Sequence, residues 1–151
     1  MKKLNCILLI DDDDITNFYN RAIINSTGIA RQIYTVTDGK QGLDYITRQG
    51  KYESNDEPYP SPEAIFLDIN MPGMNGFEFL EGYHDLDESI IEYSKIFMLT
   101  TSFLEKDRER ALSFSNVEDF FNKPLTEQNL IDLMNKYFNQ NHHSSLDSKT
   151  Q

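Results

Sequence analysis

Three aspartates, a threonine and a lysine in this sequence stand where short apolar runs stop. The run at 4–10 ends in Asp11 and Asp12, the run at 64–67 in Asp68 and the run at 95–99 in Thr100, and Lys123 closely follows a fifth apolar segment at 117–121. Three carboxylates within hydrogen-bonding range cannot all stay ionised unaided, and one pKa would rise. A divalent, oxygen-seeking cation relieves that repulsion. Mg²⁺ takes one or two carboxylates together with waters and phosphate oxygens. No His/Cys cluster points to zinc instead. A carboxylate left free beside such an ion is a nucleophile toward a phosphoryl group. The cation and Lys123 would offset charge on the transferring oxygens, and Thr100 would donate a hydrogen bond.

These groups can meet only if the ends of separate strands share one edge. Five apolar segments, "LNCILLI" (4–10), "RQIYTV" (31–36), "AIFLD" (64–68), "KIFMLT" (95–100) and "VEDFF" (117–121), read as strands. The first, third and fourth are nearly continuous, as expected of strands buried on both faces of a parallel sheet. Segments with helical spacing alternate with them. Ile15, Phe18, Tyr19, Ala22 and Ile23 predict a first helix burying that stripe, and Leu130, Leu133, Met134, Tyr137 and Phe138 predict a last one, with Thr126 as its N-cap. Segments 38–48, 75–86 and 104–114 supply three more. A strand-helix pair repeated five times implies an α/β fold, a doubly wound five-stranded parallel sheet, whose ligands bind outside the carboxyl ends of the strands. The Gly73, Asn75 and Gly76 turn reads as conformational, since glycine accommodates positive φ. Segment 49–62, rich in Pro, Ser and acids, shows no clear period, and both it and segment 87–94 read as long connections.

The 151 residues carry 14 Lys and Arg against 25 Asp and Glu, a formal net charge of −11. Such a surface repels a phosphate backbone, so no nucleic-acid partner is expected. The single cysteine, Cys6, excludes an internal disulfide and reads as a small core residue. No stretch reaches the ~20 apolar residues of a membrane span. The start "MKKLNCILLI" is like a signal peptide, but the aspartates cut the apolar run short and no small-residue cleavage site follows. The expectation is a soluble, cytoplasmic protein with one domain over 1–138 and a polar, disordered tail over 139–151. His142 and His143 in that tail read as inert.

The set "LLIDDD", "AIFLDINMPGMNGFEFL", "IFMLTTS" and "DFFNKPLT", in that order and over roughly residues 4–138, resembles the receiver domain of two-component response regulators. The resemblance implies a flavodoxin-like (βα)5 fold and a role for each position. Asp68 would be the phosphoacceptor. Asp12 would bind Mg²⁺ or Mn²⁺ directly, Asp11 would act beside it, usually through water, and Asn70 would offer its backbone carbonyl. Thr100 would follow the phosphoryl group, Lys123 would pair with it, and the bond from Lys123 to Pro124 would be cis. Phe120 matches an aromatic switch whose ring turns inward when Thr100 moves.

The resemblance implies a signalling phosphoacceptor rather than an enzyme. Its donor would be a sensor histidine kinase or a histidine phosphotransfer protein, docking on the first helix. Without a recognisable output segment, the expected output is a downstream protein target, or a relay or drain of phosphoryl groups. The face formed by the helix at 104–114, the fifth strand and the last helix would be remodelled and could form a homodimer. Segment 49–62 is like that of receivers paired with phytochrome-type sensors. Two other readings stay open. A haloacid-dehalogenase-type phosphatase would use Asp12, Asp14 and Thr16 as D-x-D-x-T, yet after Lys123 the one aspartate before the tail is Asp132. A receiver-like binding module would not be phosphorylated at all.

Overall fold

A computed structural model describes residues 3–53, 59–101 and 104–139. Five strands, β1 (Leu4–Ile10), β2 (Ala30–Val36), β3 (Ala64–Leu67), β4 (Lys95–Thr100) and β5 (Val117–Asn122), form one sheet in the order β2-β1-β3-β4-β5. All four pairings are parallel. Parallel neighbours need crossovers, which the helices provide: α1 (Asp14–Thr27), α2 (Gly39–Thr47), α3 (Gly76–His84), α4 (Glu88–Tyr93), α5 (Glu105–Leu112) and α6 (Glu127–Tyr137). This is the doubly wound sheet expected from the sequence.

The central strands are apolar throughout because both of their faces are covered. Leu8, Ile10, Ile65, Leu67, Ile96 and Met98 pack under Tyr45 of α2, Phe79, Leu80 and Tyr83 of α3 and Ala111 of α5. Ile7, Leu9, Phe66, Phe97 and Leu99 pack under Ile24 of α1 and Leu130, Leu133 and Met134 of α6. Cys6 is buried within β1, where burial pushes its thiol pKa up, and it packs as a core residue. Thr126 caps α6 in a reciprocal capping box with Asn129.

Three features depart from the periodicity. Residues 87–94 were expected to be a connection but contain α4, a six-residue helix that buries no residue fully. A short exposed helix offers too little apolar repeat to register as a period. Segment 49–62 is partly ordered by aromatic packing. A single 3₁₀ turn, Gly50–Tyr52, brings Tyr52 against Tyr45 and Tyr59, with ring centroids 5.1 and 4.9 Å apart. The Tyr45 hydroxyl donates to the Pro60 carbonyl at 2.8 Å. Residues 54–58 of that segment, and nearly all of the predicted tail, lie outside the described residues.

The third departure is in α1. Ile15 is 78% exposed and Phe18 75%, Tyr19 and Ala22 are also exposed, and the residues turned inward are Asn17, Asn20 and Ile24. The expected burial of the 15/18/19/22 stripe is therefore corrected. Three local hydrogen bonds go with this rotation. Asp13 caps the helix, accepting from the Ile15 amide at 3.1 Å and the Thr16 hydroxyl at 2.7 Å. Asn17, one turn on, donates through Nδ2 to the Asp11 carbonyl at 2.9 Å. With those bonds made, positions 17, 20 and 24 share the inner face. Among the described residues no helix is long and apolar enough to cross a membrane.

Candidate functional site

The sheet register brings the predicted residues together. Ile10 of β1 sits opposite Leu67 of β3, so the next residues, Asp11 and Asp68, leave the sheet side by side. The Asp68 amide donates to the Ile10 carbonyl at 3.0 Å, and the Asp11 amide to the Val36 carbonyl at 3.2 Å. At the other end of the cluster Thr100 pairs with Asn122, and the Lys123 amide donates to the Thr100 carbonyl at 2.9 Å. The Lys123–Pro124 peptide is cis.

Carboxylate oxygens of Asp11, Asp12 and Asp68 lie within 4.8 Å of one another. Asp11 and Asp68 are buried, whereas Asp12 is exposed. Asp11 is held at both oxygens: Oδ1 accepts from the Asp13 amide at 2.9 Å and Oδ2 from Lys123 Nζ at 2.5 Å. Lys123 Nζ also stands 3.6 Å from Asp68 Oδ1. Burial pushes the Asp68 pKa up to about 6, with nearby Asp11 adding to the rise. Lys123 and the backbone amides of Ile69 and Asn70 pull the other way. Asp68 is thus a largely desolvated carboxylate that is ionised at neutral pH. The donor set consists of oxygen atoms, two buried and one facing water, which suits a small hard cation that keeps some of its waters.

Thr100 is fully buried at the end of β4. Phe120 is buried as well, opposite Met98 and within the core that includes Ala111 of α5. Asn70 is exposed just beyond Asp68, and its amide supports the Asp68 carboxylate. Asp14 is exposed in the first turn of α1 and is outside the carboxylate cluster.

The loop after Asp68 owes its shape to two glycines that act in different ways. Gly73 has φ +72°, a left-handed conformation that favours glycine. Gly76 does not; its requirement is space. A Cβ there would lie 2.5 Å from the Asp68 carbonyl oxygen and 2.8 Å from the Ile69 Cα, and neither backbone atom can swing aside. Asn75 caps α3 in a box with Glu78. Gly76→Ala is expected to lower stability by about 2 kcal/mol, the usual cost of overpacking, measured as a lower urea midpoint. An unchanged midpoint would show that the loop yields freely.

Sequence reasoning did not single out Asn17 or Asn20. The available signal was two asparagines three apart inside a helix, a residue type that disfavours helix interiors.

The response regulator receiver domain family model matches residues 7–135. A two-component response regulator from Cytophaga hutchinsonii has a solved structure with TM-score 0.78 and 33% identity, covering 89% of this chain and 97% of that one. Sporulation initiation phosphotransferase F of Bacillus subtilis is 25% identical over 87% of this chain and 91% of its own length. Hybrid signal transduction histidine kinase L of Dictyostelium discoideum is 24% identical over 95% of this chain, which spans 8% of that protein's length. The chain belongs to the response regulator receiver domain family, the phosphoacceptor modules of two-component signalling.

Proposed function

We propose that this protein accepts a phosphoryl group on Asp68 from a histidine kinase or histidine phosphotransfer protein and changes its binding to a downstream protein as a result. The observation that carries this reading is the environment of Asp68. It is a desolvated carboxylate with its pKa near 6, flanked by two further aspartates and an ammonium group. The carboxylates of Asp11, Asp12 and Asp68, with the Asn70 carbonyl, would hold Mg²⁺ or Mn²⁺. When bound, that cation supplies charge neutralisation at the phosphoryl oxygens. One Asp68 oxygen forms the bond to phosphorus as the donor's P–N bond breaks, the electron pair stays on that ring nitrogen, and the donor imidazole, protonated on its other nitrogen, leaves neutral. Lys123 offsets negative charge, and Thr100 donates a hydrogen bond to a phosphoryl oxygen. Phe120 occupies the space that Thr100 vacates or reclaims, which couples the site to the surface of α5, β5 and α6.

The donor's histidine must approach over the exposed end of α1. Ile15 and Tyr19 line a groove of about 450 Å³ with Thr101, Lys123 and Pro124, and Phe18 is exposed one turn along. An apolar surface adjoining the reactive carboxylate suits a helical protein partner, and the formal charge of −11 opposes nucleic acid.

Incubation with a small acyl-phosphate donor and Mg²⁺, followed by intact-mass measurement, tests the reading. One phosphoryl adduct is expected, suppressed by EDTA. Adduct-free protein under conditions that label an established receiver would favour the binding-module reading.

A further inference from the structure

We propose that Asn17 is a positioning residue for the metal-binding carboxylates, an inference that rests on the metal site proposed above. Asn17 is 4% exposed in the first full turn of α1. Its Nδ2 donates to the Asp11 carbonyl at 2.9 Å, while its Oδ1 is buried and has no hydrogen-bond partner. Exchanging the two amide atoms would face oxygen with oxygen at Asp11, so this bond fixes the side chain's orientation. The same side chain borders a narrow gap with Asn20, Asp11 and Asp68.

An orphaned buried acceptor is unfavourable, and asparagine is a poor residue for a helix interior. Apolar residues occupy the neighbouring positions of α1 but face outward. The arrangement therefore gives up packing at position 17 for one hydrogen bond to the Asp11 backbone. That bond acts on more than Asp11. The Asp11 carbonyl belongs to the planar peptide unit whose nitrogen is that of Asp12. Holding the carbonyl sets the tilt of that plane, and so the direction in which the Asp12 side chain leaves the chain. Asp11 is already held through its amide by Val36 and through its carboxylate by Asp13 and Lys123. Asp12 is exposed and depends on the peptide plane for its aim. Asn17 thus ties the spacing of the Asp11 and Asp12 carboxylates to the axis of α1.

The test compares the full-length wild type with Asn17→Leu, of similar volume, and with Asn17→Ala, which keeps the test available if the leucine variant does not fold. Mn²⁺ affinity is read from the electron paramagnetic resonance signal of free Mn²⁺, and stability from thermal unfolding in EDTA. Mn²⁺ binding weakened about tenfold or more, the scale on which ligand-supporting groups act, is expected in both variants. The Asn17→Leu unfolding midpoint in EDTA is expected to match or exceed that of the wild type. Wild-type affinity in a folded variant, within twofold, would overturn the proposal, including where stability has fallen. An equal loss in Asn20→Leu, whose side chain makes no bond to Asp11, would also overturn it. A wild type that binds no Mn²⁺ would defeat the metal site itself, whereas a wild type that binds with variants that match it would defeat only the role of Asn17.

Discussion

Replacing Asp12 by alanine is expected to abolish Mg²⁺-dependent phosphorylation, while replacing Asp14, two residues on, leaves it intact. Both are exposed carboxylates at the start of α1, so composition alone cannot separate them. Geometry can. Asp12 has an oxygen within 4.8 Å of oxygens of Asp11 and Asp68, and Asp14 is outside that cluster, in the first turn of the helix. An acid in a first turn interacts with the helix dipole, worth at most about 1 kcal/mol. Asp13 stands between these cases. Its side chain caps α1 and its amide supports Asp11. Asp13→Ala should cost about 1 kcal/mol of stability and keep phosphorylation, because the amide remains. Adduct yield by intact mass, with urea midpoints alongside, checks all three variants. Equal loss of phosphorylation in Asp12→Ala and Asp14→Ala would contradict the division and revive a D-x-D-x-T site.

Asp68→Asn should make the protein more stable at neutral pH. The folded-state pKa of about 6 lies above the ordinary carboxylate value of 3.8. Between those values the folded state binds more protons than the unfolded one, so stability falls as pH rises through that interval and then levels off. At about 1.4 kcal/mol per pKa unit, ionised Asp68 costs up to ~3 kcal/mol above pH ~6. Asparagine keeps the shape and removes the charge, and Lys123 keeps Asp11 as its partner. The variant's advantage should be full at pH 7.5 in EDTA, shrink as pH falls through 6 and vanish below about 4. Mg²⁺ should narrow the gap at pH 7.5, since it stabilises the wild type by mass action, by about 2.7 kcal/mol at a hundred times its Kd. Denaturation curves at several pH values read this directly. A wild type more stable than Asp68→Asn at pH 7.5 in EDTA would mean that Lys123 outweighs burial at this site.

The central strands were legible because burial on both faces leaves continuous apolar runs, as in "CILLI" and "AIFL". The convergence of the candidate residues was legible for a related reason. Polar groups placed directly after such runs, as Asp11, Asp68 and Thr100 are, must emerge together at one sheet edge. What could not be read was the rotation of α1. Its apolar stripe obeys helical spacing as well as any buried stripe does, and periodicity reports that a helix has two faces, not which one turns inward. The structure resolves that choice with a cap at Asp13 and one bond from Asn17, interactions of single residues that leave no period. Gly76 was equally opaque. Its spacing suggests a turn, but the constraint is the carbonyl of Asp68 lying behind it, which exists only once α3 has packed against β3.

The exposed stripe on α1 corrects the burial expected of that helix and leaves its apolar side chains at the surface. A face read as core is a surface carrying Ile15, Phe18 and Tyr19, and Ile15 and Tyr19 line a groove with Lys123 and Pro124 beside the carboxylates.

The most direct measurement is the position of the phosphoryl group. Protein treated with the acyl-phosphate donor and Mg²⁺ is reduced with borohydride, which converts an aspartyl phosphate to homoserine, and the modified residue is located by tandem mass spectrometry. Conversion at Asp68, absent from Asp68→Asn, is the predicted result. Conversion at Asp12 with Asp68 untouched would contradict it and assign the chemistry to the start of α1.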